Sequence, residues 1–284
     1  MSLTVQSPCK INLILNVLPR RSDGFHELES LFLPVPLHDE ITIEKSSKGI
    51  ELNCSHPALS TGPDNLVHRA ASAFFTELGE GGGRIQLQKN LPLAAGIGAG
   101  SANAAHALRG LNELYDTPLC AKSLHFLAAQ LGSDVPFFLQ DECALATGRG
   151  EEIEPVAPLD SLHGKGLLLV HPGFGVSTPW AYQALSAKPK LYCQAGQSAG
   201  PIERLRSGDW QALQNNLEPG VFGKYTVLPV IKKFLSDNGA LGALMSGSGS
   251  TMFAIAEDRP AAEALRAKYH AHFGQAGWSA TVCL

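Results

Sequence analysis

Residues 91–106, LPLAAGIGAGSANAAH, carry glycine at 96, 98 and 100, and this spacing constrains the chain more than any other feature. Upstream, RIQLQ at 84–88 alternates apolar and polar residues as a strand does. Downstream from Ser101, Ala104, Leu108, Leu111 and Tyr115 fall three or four apart, which predicts a helix. The segment therefore reads as strand, glycine turn and helix. Glycine lets backbone N–H groups approach an anion closely, and a helix beginning at Ser101 presents about half a positive charge at its N-terminus. Taken alone, the stretch is equally a tight turn with Ser101 as a simple N-cap.

Familiar nucleotide loops do not fit. No Lys-Ser or Lys-Thr follows the glycines, as a Walker A loop requires. The third glycine comes one place early for the dinucleotide fingerprint, and Asp116 lies at a helix end, not on a second strand. HRD and DFG are absent from the chain, which removes the protein-kinase reading. The formal net charge of −4 and pI near 6.2 supply no general attraction for nucleic acid or anionic membranes, so any anion must be held locally.

The rest of the chain predicts a mixed α and β protein. KINLILNV and EITIEK read as strands, 65–78 as a helix, and a second helix runs from about Lys122 to a stop at Gly132. PVAPLDSLHGKG, 155–166, resembles a linker, which places domains at 1–158 and 159–284. Beyond it come the strand GLLLVHP, helices within 201–237, strands ALGALM and TMFAIA, a helix over 259–273 and the strand SATVCL. That order is α+β and fits a split βαβ plan with helices on one face of an antiparallel sheet.

Six scattered cysteines form no CxxC pair, so reduced thiols are expected in place of a zinc site or disulfide framework. No apolar run reaches membrane-spanning length, and no basic segment precedes an apolar one at the N-terminus. The expectation is a cytoplasmic protein.

Three further pieces could share chemistry with the glycine loop. LMSGSGSTMF, 244–253, is a second loop of small residues between strands, equally a plain hairpin. In SPCKINLIL, Lys10 and Asn12 share one strand face, where a solvated face is the ordinary reading. In LGSDVPFF, Asp134 precedes Val135-Pro136 and could simply cap a helix. His26-Glu27 cannot begin a zinc HExxH motif, because residue 30 is serine.

In this order the pieces resemble the GHMP kinase superfamily, and the resemblance spans nearly the whole chain. It rests on SPCKINLIL, RRSDGFHELES, DNLVHRAA, LPLAAGIGAGSANAA, LGSDVPFF and MSGSGSTMFA. RRSDGFHELES, 20–30, is similar to a segment found in the branch that acts on a cytidine diphosphate-linked methylerythritol, in the non-mevalonate isoprenoid (terpenoid) pathway. The resemblance implies a two-domain fold, an N-terminal α/β domain and a C-terminal ferredoxin-like split βαβ domain, with the site between them. It implies transfer of the ATP γ-phosphoryl group to the substrate's 2-hydroxyl. Homoserine, mevalonate or sugar kinases of the superfamily, and a non-catalytic regulator on the same fold, are the alternative readings.

The roles implied are specific. Asp134 would be the base and Lys10 its cationic neighbour. Pro92, Leu93, Ala94, Ala95, Gly96, Ile97, Gly98, Ala99, Gly100, Ser101 and Ala102 would wrap the ATP phosphates, with Asn65 near the adenine and Ser101 near Mg2+. Phe25 would stack on cytosine, His26 would hydrogen-bond its edge, Tyr182 would form an opposing wall, and Asn12 would orient the substrate. Cys9, Phe25, Ala94-Ala95 and Ala102 depart from the usual alanine, tyrosine, glycine pair and second serine, and none of these changes removes a charged group.

Overall fold

The computed structural model describes residues 2–284. The chain opens with two long antiparallel strands, β1 (Ser2–Arg20) and β2 (His26–Lys45), followed by β3 (Ile50–Cys54), helix α1 (Leu66–Leu78) and β4 (Gly83–Gln88). The glycine loop then leads into α2 (Ala99–Leu114) and α3 (Ala121–Leu131), and a hairpin of β5 (Ala144–Thr147) and β6 (Glu152–Pro155) follows. The second half runs β7 (Gly166–His171), α4 (Thr178–Ser186), α5 (Ala199–Arg206), β8 (Gln214–Asn215), α6 (Glu218–Lys224) and α7 (Val227–Asp237). It ends with β9 (Gly242–Met245), β10 (Met252–Ala256), α8 (Arg259–Phe273) and β11 (Trp278–Cys283).

Two sheets stack between two layers of helices. The first has the order β3-β4-β2-β1-β8, with β5 on β2 and β6 on β5. Its outer face carries Ile41, Ile43 and Ile85 against Phe74 of α1 and Leu108 and Leu111 of α2. Small residues let α2 lie close to the sheet: a Cβ on Gly110 would come within 2.8 Å of Ile43 Cδ1. Its inner face, through Ile11, Leu13 and Leu31, meets Leu167, Leu169, Phe253 and Ile255 of the second sheet. Burial on both sides explains why β1 and β7 read as apolar runs without clean alternation.

The second sheet is antiparallel in the order β11-β7-β10-β9. With helices between β7 and β9 and α8 between β10 and β11, this is the expected split βαβ arrangement. The residues Leu168, Val170 and Ala254 alternate with the inward set and pack under Leu185, Val221, Ile231 and Leu265 of the helices.

Four local readings change. Helix α2 begins at Ala99 with Gly98 as its cap residue, at φ 69°, so Ser101 is the third helical residue and not the N-cap. The glycine's left-handed conformation turns the chain into the helix without a capping hydroxyl. Helix α4 arises where no helix is predicted. Strand β8 returns from the second half to pair with β1, at Ile14 and Leu15, so the first sheet draws on both sides of the expected boundary at 158. The expected linker is also partly structural, since Leu159 and Leu162 are buried in the core between the sheets.

Candidate active site

The phosphate-loop candidate is clasped between β1 and the second glycine loop. The Lys10 amide donates to Ile97 O at 2.9 Å, and the Thr251 amide to Ala95 O at 3.1 Å. Ser246 Oγ donates to Gly96 O at 3.0 Å. A Cβ on Gly96 would overlap the Ser246 carbonyl oxygen, and one on Gly98 would come within 2.9 Å of the Phe138 ring. Ala94 adopts φ 50°, a left-handed conformation that an alanine side chain disfavours. The second loop is itself anchored: Asn215 Nδ2 of β8 donates to both Met245 O and Gly247 O at 2.8 Å. It is the hairpin connection expected of it, and Gly247 and Ser248 also reach the cavity.

That cavity, of about 650 Å³, is lined by the whole run Pro92 to Ser101, together with Lys10, Asn12, Asn65 and Asp134. Ala102 is fully buried behind the loop and does not line the cavity. In the first turn of α2, the amides of Ala99, Gly100 and Ser101 have no carbonyl within the helix to bond, and these three residues line the cavity. Asn65 caps α1: its Oδ1 accepts from the Val67 amide at 2.8 Å and its Nδ2 donates to Ser60 O at 2.6 Å.

Lys10 is 3% exposed, and burial of an ammonium requires compensation. Its Nζ donates to Asn12 Oδ1 at 2.7 Å, lies 4.7 Å from the centre of the Phe32 ring, and stands 3.5 Å from Asp134 Oδ2. Asn12 donates in turn to Ser30 Oγ at 2.8 Å. Both ends of the Asn12 amide are thus engaged within the protein, and its oxygen holds the lysine in place. Asp134 makes no helix cap, because the short 3-10 turn Pro136–Leu139 starts from Val135 without a side-chain cap bond.

A second cavity of about 610 Å³ adjoins the first and is lined by Phe25, His26, Tyr182, Arg20 and Arg149. Leu28, Asp134, Thr178 and Tyr182 line both. The β1–β2 turn is shaped by Asp23, whose Oδ1 accepts from the Phe25 amide at 3.0 Å; that bond, chiefly, holds its carboxyl below the usual range. The turn leaves the Phe25 ring 53% exposed, facing this space.

Both ring nitrogens of His26 have partners within the protein. One ring nitrogen, Nδ1, is paired with Leu18 O at 2.9 Å and the other, Nε2, with Ser186 Oγ at 3.1 Å. The ring is buried between Tyr182 and Tyr192, 5.6 and 5.5 Å away between centres. A side-chain bond from His26 to a base edge requires exchange with Ser186. Burial first, then the Asp134 charge, pushes the Tyr182 phenol well above its ordinary pKa, so it is a neutral wall.

Known proteins place this arrangement. The GHMP kinases N terminal domain matches residues 65–142, and the GHMP kinases C terminal domain matches 201–275. A 4-diphosphocytidyl-2-C-methyl-D-erythritol kinase of Pelotomaculum thermopropionicum is 42% identical over 95% of this chain and 94% of its own. The chain belongs to the 4-diphosphocytidyl-2-C-methyl-D-erythritol kinase family of GHMP kinases. A crystal structure of a 4-(cytidine 5'-diphospho)-2C-methyl-D-erythritol kinase superposes with TM-score 0.81 at 36% identity, covering 98% of each chain. The homoserine kinase of Cytophaga hutchinsonii shares the fold alone, at TM-score 0.70 and 20% identity over 99% of this chain and 93% of that one.

Within this GHMP kinase fold, several site residues escape a reading of the sequence. Arg149, at the β5–β6 turn, places its guanidinium 5.0 Å from the centre of the Phe25 ring and is held by Glu151 at 3.0 Å. Thr178 Oγ1 and Ser248 Oγ are 2.9 Å apart and join α4 to the second glycine loop at the cavity wall. Lys89 and Asn103 line the first cavity from behind the phosphate loop. The sequence signals among them are the position of Lys89 and Asn103 beside the first glycines and of Ser248 within the second glycine loop.

Proposed function

We propose that this chain transfers the γ-phosphoryl group of ATP to the 2-hydroxyl of 4-diphosphocytidyl-2-C-methyl-D-erythritol, a step of the non-mevalonate isoprenoid pathway. The observation that carries this reading is the position of Asp134 on the wall shared by both cavities, 3.5 Å from a buried ammonium. The phosphates of ATP take the glycine-loop cavity, where backbone amides and the N-terminus of α2 face them. The cytidine end takes the second cavity, with Phe25 stacked on the base and Tyr182 on the wall nearer the reaction. Arg20 and Arg149, the two guanidinium groups lining that cavity, suit the substrate's diphosphate.

Asp134 then accepts the hydroxyl proton as the oxygen bonds to the γ-phosphorus and the bond to the β–γ bridging oxygen breaks, releasing ADP. Lys10, 3.5 Å from the Asp134 carboxylate, offers its charge to the moving phosphoryl oxygens. The loop needs no lysine of its own because β1 supplies one.

Mg2+ fits this donor set. Among the described residues no cluster of three or more His, Cys, Asp or Glu could cage a metal. The Ser101 hydroxyl lines the first cavity and suits an ion that keeps several waters and arrives on nucleotide phosphates. Its chemistry there is charge neutralisation across the phosphates.

Turnover of ATP measured against a panel of acceptors tests the reading. Highest kcat/KM is expected with the diphosphocytidyl alcohol; a higher value with homoserine, mevalonate or a sugar overturns it. No helix among the described residues is long and apolar enough to cross a membrane.

A further inference from the structure

Behind the phosphate loop lies a closed polar cluster that the chemistry above does not use. Asp39 of β2 is fully buried, and its carboxylate takes four hydrogen bonds. Oδ1 accepts from the amides of Asn90 and Leu91 at 2.7 and 3.0 Å. Oδ2 accepts from Lys89 Nζ, and from Asn103 Nδ2 at 3.0 Å. Asn103 Oδ1 in turn accepts from Lys89 Nζ at 3.0 Å, and its Nδ2 also donates to Ser7 Oγ of β1 at 2.9 Å. One carboxylate therefore joins the last residues before Pro92, the second turn of α2, and both long strands.

A buried ion pair is a poor source of net stability, because desolvation offsets most of the attraction. Its strength is geometric: four directional bonds to one rigid group fix the relative positions of the parts that make them. Here those parts are the entrance of the phosphate loop and the helix whose N-terminus faces the same cavity. The Lys89 ammonium, 2% exposed at the cavity wall, is neutralised where it stands.

The geometry points to Asp39 as a positioning residue for the nucleotide half of the site, setting where the phosphate loop begins relative to the N-terminus of α2. This rests on the assignment of the first cavity to ATP. Asp39 touches no ligand; it acts through the amides of Asn90 and Leu91 and through Asn103.

Calorimetric binding of ADP and of CDP to the whole protein separates the possibilities. Wild-type protein binds both. Asp39→Asn, which keeps an acceptor oxygen but removes the charge, weakens ADP by about tenfold while leaving CDP within about twofold. Asn103→Ala frees the carboxylate from α2, keeps both charges paired, and shows the same selectivity with a smaller loss; it carries the test if Asp39→Asn does not fold. In Asp39→Asn, KM for ATP rises while kcat at saturating ATP holds. A fall in melting temperature with unchanged ADP affinity, a parallel loss of ADP and CDP, or tighter ADP binding overturns the inference. Failure of the wild-type protein to bind ADP overturns the nucleotide assignment itself, and the positioning role with it.

Discussion

The Lys10 ammonium and the Asp134 carboxylate stand 3.5 Å apart in unlike surroundings: the lysine is 3% exposed, the aspartate 36%. The cation is fixed by Asn12 and the Phe32 ring, whereas the anion faces two cavities. A carboxylate so placed suits the proposed role of base beside a cation that is held in place. Asp134→Asn retains shape and loses the base. The expected result is a folded protein that binds ADP and the cytidine substrate within about threefold of wild type, with kcat down about 10²–10⁴-fold. A kcat near wild type would remove Asp134 from that role.

Phe25 sits on an exposed turn, so its loss should spare the fold. With Phe25→Ala, KM for the diphosphocytidyl substrate is expected to rise roughly tenfold or more, the scale of one base stacked on an aromatic ring. KM for ATP should stay put, and Phe25→Tyr should restore binding. Equal weakening of both substrates in steady-state kinetics would contradict the placement.

Glycines 98 and 100 are expected to separate by substitution. Gly98 has φ 69° and a Cβ there would press on the Phe138 ring, so Gly98→Ala should lower the melting temperature and raise the ADP Kd at least about tenfold. Gly100 has no left-handed φ, and the only neighbour its Cβ would meet is Leu66 Cδ1 at 3.7 Å. Gly100→Ala should therefore match or exceed wild-type stability. Any ADP affinity it loses then reports how closely the phosphates approach the backbone, read by thermal melting beside calorimetry.

His106 links α2 to pH. Burial, above all, lowers its pKa from the ordinary 6.5 to about 4, although Nδ1 is paired with Ala102 O at 3.0 Å. The folded value lies below the unfolded one, so between about 6.5 and 4 the unfolded chain binds more protons. Stability from this group is intact above pH 6.5 and is lost as pH falls through that window, on the order of 3 kcal/mol in total. Urea unfolding at pH 7 and pH 4.5 should show a smaller pH-dependent loss in His106→Gln than in wild type. Equal losses would exclude His106 as the source.

Much of this was legible in the residues because the signals are local. Three alternate glycines before a helical run announce the loop, the strand and helix order of 166–284 announces the second sheet, and Lys10 and Asn12 two apart must share a face. What stayed hidden depends on contacts across the chain. Ser101 looks like a cap, but Gly98 at positive φ already turns the backbone into the helix. Strand β8 is two residues long and has no period to detect. Helix α4 begins at Thr178-Pro179 after a glycine-rich stretch that reads as loop. Asp39 and Arg149 are single charges that any sequence would assign to solvent; only the fold brings them to Lys89 and Phe25.

Leu28, Asp134, Thr178 and Tyr182 line both cavities at once, so the two spaces meet at these four residues. For inhibition this means that two weak fragments, one seated on the glycine loop and one against Phe25, can be joined by a short tether past Asp134. Such a tether turns the second binding event into an intramolecular one, so affinity multiplies without any new contact.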